Sequence, residues 1–263
     1  MKVQTLVSVI IPVFNAERYI DECMQSVLSQ TYSNIEVILC DDCSTDESYR
    51  KLLSYKNDKR VKVLKNEKNL HQARTRNKCI EQAKGEFVLL QDADDVSKPN
   101  RIERLMESLE DGVDFVGSNC YCFDDQGNIH EILTKKEMYP VRKSLLWGIP
   151  YVHASLLIRK SCLQKIGGYR FTKHTKRGED YDMVMRLYAA GFRGKNIDDE
   201  LYGYRVDKET INRRDFKSRI DECYIRYEGF KSNKILFPVG WIFIFKPLPA
   251  YFFQKIKYRR ISK

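Results

Sequence analysis

The stretch FVLLQDADD, residues 87–95, joins four consecutive apolar residues to the carboxylates Asp92, Asp94 and Asp95. A short apolar run bounded by turn residues is the pattern of a strand buried on both faces. The three acids are therefore expected just past the end of an interior strand. Like charges this close raise one another's pKa and cost folding free energy unless something positive sits between them. A divalent cation is the usual solution, and carboxylate oxygens suit Mg²⁺ or Mn²⁺.

Upstream, strand and helix patterns alternate. Residues 7–13 read as a strand, Asn15 as an N-cap with Glu17 in the first turn after it, and Ile20, Cys23, Met24, Val27 and Leu28 recur at helical spacing along one face. A second strand over 35–40 ends in Asp41-Asp42, and Ser44-Thr45-Asp46-Glu47 has the form of a capping box opening a second helix. A third short strand spans 61–64, and a third helix over 72–84 runs up to Gly85, placed where a left-handed C-cap belongs. Such alternation predicts a mainly parallel sheet with helices on both faces, and ligands bind beyond the carboxyl ends of its strands. Asn15, Asp41-Asp42 and Asp92-Asp94 should thus converge on one edge.

Downstream the pattern is mixed. Pro99 opens a helix carrying Ile102, Leu105, Met106 and Leu109; a strand over 113–117 and a hairpin over 121–132 follow. Residues 153–159 read as a strand, 161–166 as a short helix stopped by Gly167-Gly168, and Gly178-Glu179-Asp180 precedes a helix with Met183, Leu187 and Tyr188 inward. Phe216, Ile220, Cys223, Tyr224 and Tyr227 mark the apolar face of a last helix.

The 263 residues carry a formal charge of +10, but residues 213–263 hold a surplus of nine positive charges, so the body is nearly neutral. The basic character belongs to the tail. There KILFPVGWIFIFKPLPAYFFQKIKYRR, residues 234–260, interleaves aromatic, Pro and Lys/Arg residues. The prolines and Lys246 break it short of the roughly 20 apolar residues of a membrane span. An interfacial segment meeting anionic lipid is the expectation, with a packed subdomain or homo-oligomer contact as the alternative. A nucleic-acid partner is not expected, because the basic residues alternate with Phe, Trp and Pro rather than line a groove-facing element. Eight scattered cysteines, mostly in apolar patterns, read as reduced thiols, and the apolar N-terminal stretch, broken by Pro12, reads as a strand and not a signal peptide. A cytoplasmic protein bound peripherally to the membrane face fits these features.

Residues 8–48 (SVIIPVFNAERYIDECMQSVLSQTYSNIEVILCDDCSTDES), 73–95 (ARTRNKCIEQAKGEFVLLQDADD), 167–170 (GGYR) and 178–187 (GEDYDMVMRL) together resemble the nucleotide-sugar-dependent glycosyltransferases of family 2, in that family's order. The likeness covers roughly residues 5–205. It implies a GT-A (Rossmann-like) α/β fold, a mixed, mainly parallel sheet flanked by helices. The expected organisation is a catalytic domain over 1–212, with a nucleotide-binding half (1–117) and an acceptor-side half (118–212), followed by a helical basic and aromatic appendage over 213–263. It also implies an inverting transfer from a nucleoside-diphosphate sugar to an acceptor hydroxyl, assisted by Mn²⁺ or Mg²⁺.

Residue by residue, the resemblance makes Asp94 the metal ligand, with Asp92 on ribose or a metal-bound water and Asp95 a brace for the loop. Asp42 takes the position that contacts the base, and a carboxylate accepting from an imide N–H favours UDP-sugars. Pro12, Phe14 and Glu17 belong to the same nucleotide-facing loop, and Arg76 could reach the diphosphate as a charge-assisted donor. Asp180 matches the base that takes the acceptor proton, with Glu179 the neighbouring candidate. His153, Gly168 and Tyr169 are acceptor-side candidates, each also readable as purely structural. The chain departs from the family in Cys43, where relatives carry Gly; a positive φ is not expected of Cys, so this loop should differ. Lack of the Q-x-x-R-W motif of processive relatives points to single additions, onto a lipid-linked or surface-polysaccharide glycan. A degenerate, non-catalytic nucleotide- or glycan-binding protein and a sugar nucleotidyltransferase are the alternatives; the second would carry a Gly-rich basic loop after the first strand, which PVFNAERY lacks.

Overall fold

The computed structural model describes residues 5–206 and 215–249. Its strands are β1 (Val7–Val13), β2 (Ile35–Asp41), β3 (Val61–Lys65), β4 (Phe87–Leu90), β5 (Val96–Ser97), β6 (Phe115–Phe123), β7 (Ile129–Leu133), β8 (Leu157–Arg159) and β9 (Gly194–Arg205). Its helices are α1 (Ile20–Leu28), α2 (Ser48–Ser54), α3 (Gln72–Gln82), α4 (Arg101–Glu107), α5 (Lys160–Lys165), α6 (Glu179–Ala189), α7 (Phe216–Ser232) and α8 (Trp241–Ile244). The sheet order is β3-β2-β1-β4-β8-β6-β9-β5, with β7 added on β6. Strands β1 to β4 pair in parallel; β8 runs antiparallel to both β4 and β6, and β9 returns parallel to β6.

Strand alternation builds the core on both faces. Val7, Val9, Ile11, Val13, Val37, Leu39, Phe87 and Leu89 pack with α1 and α4, whereas Ile10, Ile38, Cys40, Val88 and Leu90 pack with α3, α5 and α6. Each such side chain, fully buried, contributes about 1.5–3 kcal/mol relative to exposure. That two-sided burial is why these segments read as continuous apolar runs. All eight cysteines are free.

The structure corrects several local expectations. Asn15 does not cap α1, which begins at Ile20 without a side-chain cap; Asn15 sits at φ 50° and its Oδ1 accepts from Thr45 N at 2.8 Å. The capping box is replaced by Asp46, whose Oδ1 accepts from Ser48 N at 3.0 Å. Cys43 does adopt a positive φ, 62°. Residues 153–155 form a 3₁₀ turn, and only Leu157–Arg159 is strand. Strand β6 is longer than expected, and β9 was not anticipated. On α7 the expected inward face is the exposed one: Phe216, Ile220, Tyr224 and Tyr227 face outward, and Ile225, Arg226, Gly229 and Phe230 are buried. The reason is contact with α6, where a Cβ on Gly229 would lie 2.1 Å from Met185 Sδ. Among the described residues no helix is long and apolar enough to cross a membrane. The final basic cluster of the tail lies outside the described residues.

Gly85 is no left-handed cap either; α3 ends at Gln82 with Ala83 extended. It is required because the chain passes against β1: its N–H donates to Ser8 Oγ at 2.8 Å, and a Cβ there would lie 2.7 Å from Leu6 O and 2.8 Å from Ser8 N. Backbone atoms cannot swing aside. Gly85→Ala should therefore destabilise the fold by about 1–3 kcal/mol, whereas Gly127→Ala, with nothing within 4 Å of its Cβ, should cost about 1 kcal/mol for its positive φ alone; chemical denaturation of both variants measures the difference.

Candidate active site

The three acids after β4 are held by different partners. Asp95, 1% exposed, accepts from Tyr202 Oη at 2.6 Å and from Arg205 N at 2.7 Å, both on β9. Burial, and then the charges of Asp94 and Asp92, push its carboxyl well above the usual range. Asp92 accepts from Arg76 Nη2 at 2.6 Å and from Gln72 Nε2 at 3.3 Å. Arg205 Nε fixes the loop backbone at Asp94 O, 2.8 Å away. From beneath, fully buried Arg101 donates to Leu90 O and Ala154 O, both 2.9 Å, and to Gln91 Oε1 at 2.8 Å. The loop is thus locked at both ends, and the bracing role expected of Asp95 is the one found.

A cavity of about 750 Å³ opens at this edge, lined among others by Pro12, Phe14, Asn15, Asp42, Asp92 and Asp94. The convergence expected of strand ends far apart in sequence is present. Asp42 is anchored through Oδ1, which accepts from Leu70 N at 2.7 Å and Asn66 Nδ2 at 2.8 Å. Glu17 is not part of the lining; its Oε2 accepts from Glu47 N at 2.8 Å, stapling the turn before α1 to the start of α2. A hard divalent cation is commonly held by one or two carboxylates and completes its shell with phosphate oxygens and water. Asp94 with Asp92 fits that donor set, and among the described residues no group of three or more His, Cys, Asp or Glu side chains is arranged for a metal.

A second cavity of about 380 Å³ adjoins the first, sharing Gln72, Asp92 and Arg177 with it and adding Arg76, His153, Glu179 and Asp180. Arg76 is only 3% exposed and lies between the acidic loop and α6, 2.6 Å from Asp92 and 3.7 Å from Glu179. Its expected place near a diphosphate is thus held by two carboxylates. Glu179 is buried at 8% exposure, and burial followed by the Asp180 charge raises its carboxyl to about 7. Asp180 is half-buried and reaches the cavity from the first turn of α6.

His153 also lines this cavity, its Nε2 2.9 Å from Tyr169 Oη, and burial and then the Arg76 charge hold its pKa well below the usual histidine value. Its ring is neutral near pH 7. Tyr169 is buried and lines neither cavity; it supports His153 and lies under Arg76 at 5.5 Å. Gly168, at φ 67°, lets Asn77 clamp the Tyr169 backbone, accepting from its N at 2.7 Å and donating to its O at 2.8 Å; a Cβ on Gly168 would lie 2.4 Å from Asn77 Oδ1. Three further site residues escaped the reading of the chain. Tyr202 and Arg205 come from the unanticipated β9, and Arg177 is an exposed side chain lining both cavities. The only local signal for Arg177 is the basic run Lys173-His174-Thr175-Lys176-Arg177 before Gly178.

A doubly covered α/β sheet with loops and cavities gathered at its carboxyl edge is of the α/β class that binds ligands at such an edge. The Glycosyl transferase family 2 profile matches residues 8–167, and the chain belongs to that family. It is 34% identical over 262 residues to EpsE of Bacillus subtilis (strain 168), which is named as a glycosyltransferase, covering 98% of this chain and 93% of EpsE. The fold is similar to that of Staphylococcus aureus TarS in complex with UDP-GlcNAc, with a TM-score of 0.71 and 22% identity over 88% of this chain and 70% of that one. It is also similar to that of the mannosyltransferase PcManGT of Pyrobaculum calidifontis in complex with GDP-Man and Mn²⁺, with a TM-score of 0.62 and 17% identity over 95% and 74% of the two chains. The protein is a glycosyltransferase with a GT-A fold.

A raised carboxyl pKa gives a signed prediction. Glu179 favours the folded state while protonated, below its ordinary value of 4.5, and that contribution is lost as pH rises to about 7. Relative to Glu179→Gln, the wild-type chain should lose on the order of a few kcal/mol of stability between those limits; denaturant titrations of the two proteins across this pH range, without nucleotide or metal, measure it.

Proposed function

We propose that the protein moves a sugar, with inversion, from a nucleoside-diphosphate sugar to a hydroxyl of a lipid-linked or surface-polysaccharide glycan. The observation that carries this reading is the junction of the two cavities at Asp92: the acids after β4 open on one and Asp180 on the other. Donor and acceptor would meet there. UDP-sugars are favoured because Asp42 presents an anchored carboxylate to the first cavity and can accept from a uracil imide N–H; the UDP-GlcNAc complex of TarS supports the preference, and the GDP-Man complex of PcManGT supplies the competitor.

In this reading Asp94, with Asp92 beside it, holds Mn²⁺ or Mg²⁺, which when bound neutralises charge on the departing diphosphate. Arg177, exposed and facing both cavities, adds a charge-assisted donor to the same oxygens. The acceptor oxygen attacks the anomeric carbon as the bond to the diphosphate breaks, and Asp180 takes the hydroxyl proton. Asp180 is preferred to Glu179 as the base because it is open to the cavity, while Glu179 is buried against Arg76 and shares its proton with solvent near pH 7. His153, neutral and at the cavity wall, is an acceptor contact; Tyr169 and Gly168 act behind it. The catalytic unit comprises residues 1–212, and the segment over 213–263 contacts the cytoplasmic membrane surface, a reading supported by exposed Trp241, Ile242 and Phe245.

The test is calorimetry with UDP and GDP, each with Mn²⁺ and with excess chelator, alongside a turnover assay for released nucleoside diphosphate. Metal-dependent UDP binding is expected in the wild-type protein and should be lost in Asp94→Asn. Asp180→Asn should keep nucleotide affinity while turnover falls on the order of 10²–10⁴-fold. Release of pyrophosphate in place of nucleoside diphosphate would identify a nucleotidyltransferase, and undiminished turnover in Asp180→Asn would remove it as the base.

A further inference from the structure

A third cleft, of about 280 Å³, begins where the second cavity ends, and Asp180 and Arg177 line both. It runs between residues 147–149, the start of α6, the α7 side chains of Arg219, Glu222 and Arg226, and Lys246-Pro247 just after α8. Its lining differs from that of the donor side. Arg177, Arg219, Arg226 and Lys246 face it against the carboxylates of Asp180 and Glu222. Glu222 is shared, lying 3.0 Å from Arg226 and 3.4 Å from Arg219. Arg226 is further fixed by donating to Leu146 O at 3.1 Å. Burial, and then the Arg226 charge, lower the Lys246 pKa.

The same cleft also carries an apolar wall at Trp147 and Ile149. Trp147, 67% exposed, packs edge-on against Phe243 at 4.8 Å, and Lys246 donates to Trp147 O at 2.6 Å. Trp241, Ile242 and Phe245 stand exposed on the same short segment. Exposed apolar side chains clustered beside a basic cleft mark an interaction surface.

We propose that this cleft binds the diphosphate of a lipid-diphosphate-linked acceptor, with the lipid chain leaving over Trp147 and the α8 segment. The inference rests on the glycosyltransfer reading above and names the acceptor that reading leaves open. Its argument is order in space. Asp180 and Arg177 are shared with the second cavity, Arg219, Arg226, Lys246 and Trp147 line the third cleft and not the second, and exposed Trp241, Ile242 and Phe245 line neither; a sugar hydroxyl at Asp180, followed by an anionic linker and a hydrocarbon chain, presents the same sequence of chemistries. A phospholipid headgroup would also satisfy cations and apolar residues, but it has no reason to lie against the residue that takes the acceptor proton. The donor diphosphate is accounted for by the first cavity.

The experiment titrates the full chain, saturated with UDP and Mn²⁺ so that the donor site is blocked, with farnesyl diphosphate, farnesol and inorganic pyrophosphate, and measures sedimentation with phosphatidylglycerol vesicles in parallel. Farnesyl diphosphate should bind more tightly than either half of it. Lys246→Glu, at an exposed position, and Arg219→Gln should each weaken it roughly tenfold to hundredfold while leaving UDP affinity as in the wild-type protein. Unchanged farnesyl diphosphate affinity in both variants overturns the proposal. So does loss of vesicle binding in Lys246→Glu from a protein that never binds farnesyl diphosphate, which would make the cleft a membrane-headgroup contact. Absence of UDP binding in the wild-type protein would instead bring down the donor reading, and farnesyl diphosphate titrated without nucleotide still reports on the cleft.

Discussion

The structure depends on how it disposes of the carboxylates that follow β4. Left together at the end of a buried strand, they would repel one another in a low-dielectric setting and push one another toward the protonated state. The protein resolves this without treating them alike. Asp95 is buried and given Tyr202 and the Arg205 backbone; Asp92 is given Arg76; Asp94 contributes its backbone oxygen to Arg205 and turns its side chain to the cavity. Two of the three carboxylates thus have partners drawn from other elements of the fold. The loop geometry is set by long-range partners from β9 and α3.

Arg76 extends the same arrangement across the site. It touches Asp92 on one side and Glu179 on the other, with Tyr169 beneath it. Because Glu179 heads α6, the arginine ties the position of the donor-side loop to the first turn of the helix that carries Asp180. Its charge also helps keep His153 neutral and opposes the rise in the Glu179 pKa. A buried guanidinium with two carboxylate partners is stable only if both stay in place, since removing either leaves charge uncompensated. Arg76 is best understood as the residue that spaces the loop after β4 from the first turn of α6.

What could be read from the chain follows the range of the interactions involved. Strands β1, β2 and β4 are apolar on both faces and α1 and α3 carry a single stripe, so local pattern identifies them, and Pro12, Phe14, Asp42, Asp92 and Asp94 at their ends could be assigned to one edge. Nothing local marks β9. Its run Asp198-Asp199-Glu200 breaks the alternation, and its pairing with β6 shifts register at Asn119, so it is a strand only because β6 and β5 make it one. The α7 face was inverted for a related reason: Gly229 and Arg226 sit at the contact with α6, and neither looks like a core residue by composition. Cys43 accepts a positive φ because the turn after β2 demands it, with Ser44 N donating to Asp41 Oδ2 at 3.3 Å.

On the proposed reading, the same division separates the donor end of the site from the acceptor end. The donor side is assembled from consecutive parallel strand and helix units, each ending in a short loop at the sheet edge. Its elements follow from local pattern, while Arg76 and the β9 residues fix the loop after β4. The acceptor side is assembled from residues 147–149 and 152–154, the start of α6, α7 and the residues just after α8, brought together by packing over long sequence distances. Substitutions there alter the lining beyond Asp180 without disturbing the Arg76 spacing or the loop after β4. A fold built this way can hold its chemistry constant while the surface past Asp180 changes, so the cations and aromatic residues of that surface, more than the acids of the sheet edge, should determine which acceptor is glycosylated.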